Sequence, residues 1–321
     1  MIVRWGIAEL DGLLSELAVE RPFVFAGKRF SELPLQPFGR WSELPTDRVA
    51  DAVGAASGAD VLVALGGGST IDTAKAVSSE TSLPLVSIPT TYSGAEWTTF
   101  YGVRDPDRRL RGGGTGAQLA GIVYEPKLTL ELPLAETVGT ALNALAHCAE
   151  ALYVKERNDE ADRYALEGAR LISTWLPRVV AREGDRLQAR TELLRGACEA
   201  GAALGRSMLG LGHALAQALG GRFGLPHGAM NALCLPPALR FNADVVPEPV
   251  ARFGVALGTD DPASRVEELA KLAGFERLRD FGVPEDELDN VAEAVIVRAG
   301  ARSNPRQASA GEVAELLRSI W

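Results

Sequence analysis

The chain has little of several things, and each scarcity excludes something. Among its 321 residues are only three histidines, His147, His213 and His227, so any imidazole site must be built from these positions. The three cysteines, Cys148, Cys198 and Cys234, are an odd, scattered set inside apolar helical patterns. They exclude a disulfide framework or zinc ribbon and imply small buried thiols in a reducing compartment, the cytoplasm. Positive charge is short: 33 Lys and Arg against 42 Asp and Glu give a net charge of −9. That balance excludes the basic face needed for nucleic acid or an anionic membrane. No run of about twenty uncharged apolar residues is present, so no membrane span is expected. The opening MIVRWGIAELDG carries acidic residues and no long apolar stretch, so it does not read as a secretory leader. Neither a GxGxxG pattern nor the lysine of a P-loop occurs.

What is present is a soluble, globular composition, 46% hydrophobic and 23% charged, in a chain long enough for two domains. The first part alternates. Residues 22–27, 33–38, 61–65, 84–91 and 120–126 read as short buried strands, and residues 10–19, 46–56 and those following Ser69 and Thr70 have helical spacing. Residues 104–116 read as a basic, glycine-rich, hairpin-like turn region. Strands alternating with helices predict a doubly wound, mostly parallel sheet. After Pro133 the strand signal stops. Helical periodicity runs through 136–154, 159–175, 186–203, 206–219, 227–239, 247–257, 262–273, 285–299 and 309–320. The expected organisation is an α/β domain over 1–130 and an all-α helical bundle over 131–321. A site is expected in the cleft between them.

Gly66, Gly67, Gly68 and Ser69 follow a buried strand and open a helix. Glycines permit positive φ and close approach of a ligand to the backbone, and a helix start offers free N–H groups and a positive dipole end. The diphosphate of a dinucleotide suits such a turn at the carboxyl edge of a sheet. The alternative is a tight turn with no ligand. Asp72, in the first turn of the helix, either matches the dipole or reaches a ribose or amide of the ligand. Thr90, Thr91 and Ser93 form a second polar loop after a strand, suited to a cofactor's phosphate or nicotinamide.

The three histidines fall in two segments, ALNALAHCAEALY and SMLGLGHALAQALGGRFGLPHGAMNALCLPPALRFN. Asn143 and His147 are four apart on one helix face, with Glu150 close to it, and His213 and Gln217 repeat the spacing. Three imidazoles and an oxygen donor would suit Fe²⁺ or Zn²⁺. The neutral Asn143 removes the negative charge that would hold a dication, so Asn143, His147, His213 and His227 are a weakened metal set. The competing reading is three separately satisfied core histidines.

GGGSTIDTAKAV, IPTTYSGAEWT, NALAHCAEALY and GLGHALAQALGGRFGLPHGAMNALCLPPALRFN occur in that order. Together they resemble the iron-containing alcohol dehydrogenase superfamily, and within it the maleylacetate reductase branch. The resemblance implies an N-terminal dinucleotide-binding α/β domain and a C-terminal helical domain of the dehydroquinate synthase-like fold. It implies an NAD(P)-dependent oxidoreductase that takes NADPH or NADH. Gly66, Gly67, Gly68, Ser69 and Asp72 match its cofactor-phosphate motif, and Thr90, Thr91 and Ser93 its second cofactor loop. His147, His213 and His227 match three metal ligands, also the expected catalytic groups, and Asn143 stands where metal-dependent members have Asp. Gln217 and Asn231 depart from the branch, which has histidines there.

The resemblance further implies hydride transfer to a small carbonyl or enone acid, maleylacetate, giving 3-oxoadipate in aromatic compound degradation. Arg108, Arg109, Arg206 and Arg222 are the cations considered for its carboxylates, against surface charge as their default role. The alternatives are a metal-dependent alcohol or aldehyde oxidoreductase on the same scaffold and a non-catalytic nucleotide-binding homologue. The expected partner is a small-molecule substrate, with a homodimer as the expected assembly. Gly27-Lys28-Arg29 stands after the first buried strand, where NAD-selective members carry an acid, so acceptance of a 2′-phosphate is expected.

Overall fold

The computed structural model describes residues 1–30, 32 and 34–321. The chain forms two compact units. The first comprises Met1–Thr91 and Ala95–Leu132, the second Tyr92–Gly94 and Pro133–Trp321.

The first unit is built on strands β1 (Ile2–Trp5), β2 (Pro22–Ala26), β3 (Gly39–Trp41), β4 (Val61–Gly66), β5 (Pro84–Pro89), β6 (Tyr101–Arg104), β7 (Leu110–Gly114) and β8 (Gln118–Tyr124). Six of them form a sheet in the order β1-β8-β5-β4-β2-β3, with every pairing parallel. Strands β6 and β7 form a separate antiparallel hairpin. Helices α1 (Leu10–Glu16), α2 (Val49–Ala55) and α3 (Gly68–Thr81) provide crossovers.

Successive side chains of β4 face opposite ways. Val61, Val63 and Leu65 pack with Leu10, Leu13 and Leu14 of α1, whereas Leu62 and Ala64 pack with Ala52 of α2 and Ile71, Ala74 and Val77 of α3. Helices thus cover both faces, which is why β4 reads as a continuous apolar run rather than an alternating one. Each of its fully buried valines and leucines contributes about 1.5–3 kcal/mol.

The second unit is helical: α4 (Leu134–Ala151), α5 (Asp159–Ala181), α6 (Arg186–Leu204), α7 (Leu211–Phe223), α8 (His227–Asn242), α9 (Pro247–Leu257), α10 (Pro262–Lys271), α11 (Leu288–Ile296), α12 (Ala299–Ser303) and α13 (Ala310–Ser319). Asn158, Asp185, Asp261 and Ser309 cap α5, α6, α10 and α13 through their side chains. No helix among the described residues is long and apolar enough to cross a membrane.

Three expectations need correction, and one strand has no counterpart among them. The strand read over 33–38 is absent from its described residues, Leu33 lying outside them; pairing begins only at Gly39, after Pro34 and Pro37, which have no N–H to give a ladder. The helix read from 206 starts at Leu211, because the N–H of Gly210, its N-cap, is bonded to the carboxylate of Glu150 at 2.7 Å. The single helix read over 285–299 is a 3₁₀ turn, Glu285–Glu287, followed by α11, with α12 beginning separately. Strand β1 is four residues long at a sheet edge, too short for a periodicity to stand out.

Candidate active site

In the first unit the carboxyl end of β4 turns into α3 through Gly66, Gly67 and Gly68, with Gly67 as N-cap and no capping side chain. Ser69 and Thr70 therefore lie inside the helix rather than opening it. None of these three glycines has positive φ. Their use is close approach: a Cβ on Gly66 would lie 2.4 Å from Thr70 Oγ1, and one on Gly67 would lie 2.9 Å from Thr91 Cγ2. The N–H of Thr70 already donates to the carbonyl of Gly67 at 3.0 Å; those of Gly68 and Ser69 come before the first intrahelical bond, at the positive end of the helix dipole. Thr90 is fully buried, and its N–H donates to the carbonyl of Gly66 at 3.0 Å, tying the second polar loop to the glycine turn.

Asp72 is engaged within the unit. Its carboxylate accepts from the N–H of Gly102 at 3.2 Å and lies 3.5 Å from Nζ of the buried Lys75, which also donates to Thr98 Oγ1 and the carbonyl of Phe100, each at 2.9 Å. Burial raises the Asp72 carboxyl above its usual range and lowers the Lys75 ammonium, each opposed by the other's charge. The pair anchors the β6–β7 hairpin to α3, a role that helix position alone did not disclose.

In the second unit α4, α7 and α8 bring the three histidines together. The His147 and His213 rings stack with centroids 4.6 Å apart, and the His227 ring lies 5.9 Å from His213. His213 Nδ1 lies 2.6 Å from Glu150 Oε2, and the same carboxylate accepts from the backbone N–H groups of Gly210 and His213 at 2.7 and 3.0 Å. Asn143 donates through Nδ2 to the carbonyl of Ser93 at 2.8 Å, which fixes the direction of its amide. Asn143 Oδ1 then faces His213 Nε2 at 3.3 Å and accepts from Asn231 Nδ2 at 2.7 Å. Asn231 Nδ2 is also 3.0 Å from His227 Nε2.

Both ring nitrogens of His213 face oxygen acceptors. His147 is different: burial first, then the neighbouring His213 and His227, hold its imidazole well below the usual histidine range. Its Nδ1 is buried without a hydrogen-bond partner among the described residues. The loop Tyr92–Gly94 closes on this cluster. Tyr92 N–H donates to Thr140 Oγ1 at 3.2 Å, and a Cβ on Gly94 (φ 72°) would lie 3.4 Å from His147 Nδ1. Ser93 thus enters through its backbone carbonyl, a contact no motif reveals.

The arginines considered for substrate carboxylates are engaged elsewhere or exposed. Arg206 pairs with Glu160 at 2.6 Å, Arg222 pairs with Glu287, and Arg108 and Arg109 are exposed beside the β6–β7 turn.

A divalent ion fits this donor set poorly. Residue 143 offers a neutral amide oxygen, and Asn231 Nδ2, which donates to it, also lies 3.0 Å from His227 Nε2, so the amide crowds two atoms that an ion would need. Among the described residues, no three His, Cys, Asp or Glu side chains are grouped to hold a metal.

Residues 137–321 match the model of the Fe-containing alcohol dehydrogenase family, C-terminal, and residues 31–119 that of iron-containing alcohol dehydrogenase. The chain belongs to the iron-containing alcohol dehydrogenase family. Within it the chain falls in the maleylacetate reductase branch. It is 36% identical over 266 residues to maleylacetate reductase of Pseudomonas knackmussii, covering 83% of this chain and 75% of that one. It is 38% identical over 265 residues to the Burkholderia cepacia protein of the same name, covering 82% and 74%. Among solved structures, a putative alcohol dehydrogenase from Ralstonia eutropha JMP134 superposes with TM-score 0.91 at 33% identity, over 100% of this chain and 95% of that one. Maleylacetate reductase from Rhizobium sp. strain MTP-10005 gives 0.88 at 29% identity, over 100% and 95%. The protein is an NAD(P)-dependent oxidoreductase of this fold, an α/β dinucleotide-binding part followed by a helical part.

Proposed function

We propose that the protein reduces maleylacetate to 3-oxoadipate with a reduced nicotinamide dinucleotide. The residues assigned to the cofactor are Gly66, Gly67, Gly68, Ser69, Thr90, Thr91 and Ser93, with Asp72 tying the β6–β7 hairpin to the helix that follows the turn. Those assigned to the substrate are His147, His213 and His227. A bound dihydronicotinamide would supply the hydride, to the alkene carbon β to the ketone. The C=C π electrons move toward the ketone oxygen as an enolate, a proton is added at the α carbon, and oxidised dinucleotide remains. The observation that carries this reading is the His213–Asn143–Asn231 arrangement. It supplies a proton-bearing imidazole and fixed amide dipoles where metal-dependent chemistry needs lone pairs. His213 is assigned the proton, and neutral His147 with His227 the orientation of the ketone oxygen.

The sequence relatives named maleylacetate reductase support the substrate. NADPH is accepted alongside NADH. Gly27 stands at the end of β2 in place of an acid, and Arg40 donates to the carbonyls of Ala26 and Gly27 at 3.2 and 2.9 Å, adding positive charge there. The protein is assigned to the cytoplasm, where its free thiols stay reduced, and to a homodimer. Consumption of reduced dinucleotide on adding maleylacetate tests the reading. Turnover of simple alcohols with chelator-sensitive activity and none with maleylacetate would replace it by the metal-dependent alternative.

A further inference from the structure

The sheet order places β4 between β5 and β2, and the structure adds a bond across its end that the motifs do not contain. Arg29, just beyond the end of β2, donates from Nη2 to Thr90 Oγ1, just beyond the end of β5, at 3.0 Å. The side chain therefore passes over the carboxyl end of β4, where Gly66 leads into the glycine turn. Its guanidinium also lies over the Phe30 ring, 4.7 Å from the centroid, and no carboxylate pairs with it among the described residues. Thr90 is itself tied to the turn through its N–H bond to Gly66. A cation held in place by a neutral hydroxyl and an aromatic face, above backbone N–H groups that also attract negative charge, is suited to a bridging anion.

We infer that Arg29 binds the diphosphate of the dinucleotide rather than its adenosine 2′-phosphate. It acts with the glycine turn on the part of the cofactor common to NADH and NADPH. This rests on the reading of that turn as the cofactor site. It divides the basic residues after β2: Arg29 serves affinity for either dinucleotide, leaving discrimination between them to Gly27, Lys28 and Arg40.

The test is calorimetric binding of adenosine, ADP, NADH and NADPH to the full chain and to Arg29→Gln and Arg29→Lys, at low and high salt. Arg29→Gln keeps a donor for Thr90 and loses the charge. The expected result is a loss of about tenfold or more for ADP, NADH and NADPH by similar factors. Adenosine binding should be unchanged, the salt dependence shallower, and Arg29→Lys should recover part of the loss. Weakening confined to NADPH would overturn the inference in favour of 2′-phosphate contact. An equal loss for adenosine would overturn it in favour of a merely structural role, and unchanged ADP and NADH binding would also overturn it. Failure of the unaltered protein to bind any dinucleotide would overturn the cofactor reading and this inference with it.

Discussion

Glu150 holds His213 from beneath, with Nδ1 and Oε2 2.6 Å apart and both side chains buried. The same carboxylate receives two backbone N–H groups at the start of α7, so one side chain sets both the ring's orientation and the entry of the helix that carries it. Removing it as Glu150→Ala leaves the buried N–H groups of Gly210 and His213 without an acceptor and His213 Nδ1 without its partner, and is expected to cost roughly 3–5 kcal/mol of stability. Glu150→Gln keeps the shape and one acceptor oxygen. It is expected to fold with a smaller loss while lowering kcat by about tenfold or more, since the proton on His213 is no longer held against a carboxylate. Denaturant unfolding and steady-state kinetics on both variants separate the two effects.

Asn143→Asp restores the carboxylate that the metal set lacks. The variant is expected to bind Zn²⁺ or Fe²⁺ at least about tenfold more tightly than the unaltered protein, a gain of ~1.4 kcal/mol. Metal titration followed by calorimetry measures it. Equal affinities would mean that the amide at 143 does not weaken metal binding.

His147 gives a pH dependence whose sign follows from its environment. Its imidazole is held well below the usual range in the folded state, so near the unfolded value of about 6.5 the unfolded chain binds more protons. Stability should thus be fully present above that value and fall as the pH drops from about 7 toward 5. His147→Gln should flatten this slope. Thermal unfolding across that range is the measurement, and an unchanged slope would mean that the ring is not held neutral.

Gly66→Ala and Gly67→Ala test close approach at the turn. With a Cβ only 2.4 Å from Thr70 Oγ1, Gly66→Ala is expected to destabilise by about 1–3 kcal/mol and to weaken dinucleotide binding. Gly67→Ala, 2.9 Å from Thr91 Cγ2, should disturb the loop rather than the strand and act mainly on binding. Unfolding and dinucleotide titrations on each variant check the division.

Much of this molecule is legible in its residues, for physical reasons. Strand β4 is buried on both faces and must be apolar throughout, so VLVAL declares itself, and the glycines after it mark backbone crowding. That crowding acts here through missing Cβ atoms, not through positive φ. The histidines stand out by scarcity, and their gathering needs no more than three helices. What a linear reading misses are partners far apart in the chain. The reach of Glu150 to residues 210 and 213 has no local signature. Asn231 reads as a departure from a pattern until its amide is seen joining Asn143 to His227. Asp72 reads as a cofactor residue from its place in α3, yet its carboxylate is spent on Lys75 and Gly102.

The most direct measurement of the account is the reaction itself: reduced nicotinamide absorbance followed with maleylacetate, with and without a strong chelator, and the product identified by mass. The expected result is stoichiometric oxidation of NADPH or NADH with formation of 3-oxoadipate, at a rate the chelator leaves unchanged. No oxidation with maleylacetate, or activity abolished by the chelator and restored by Fe²⁺ or Zn²⁺, would contradict it.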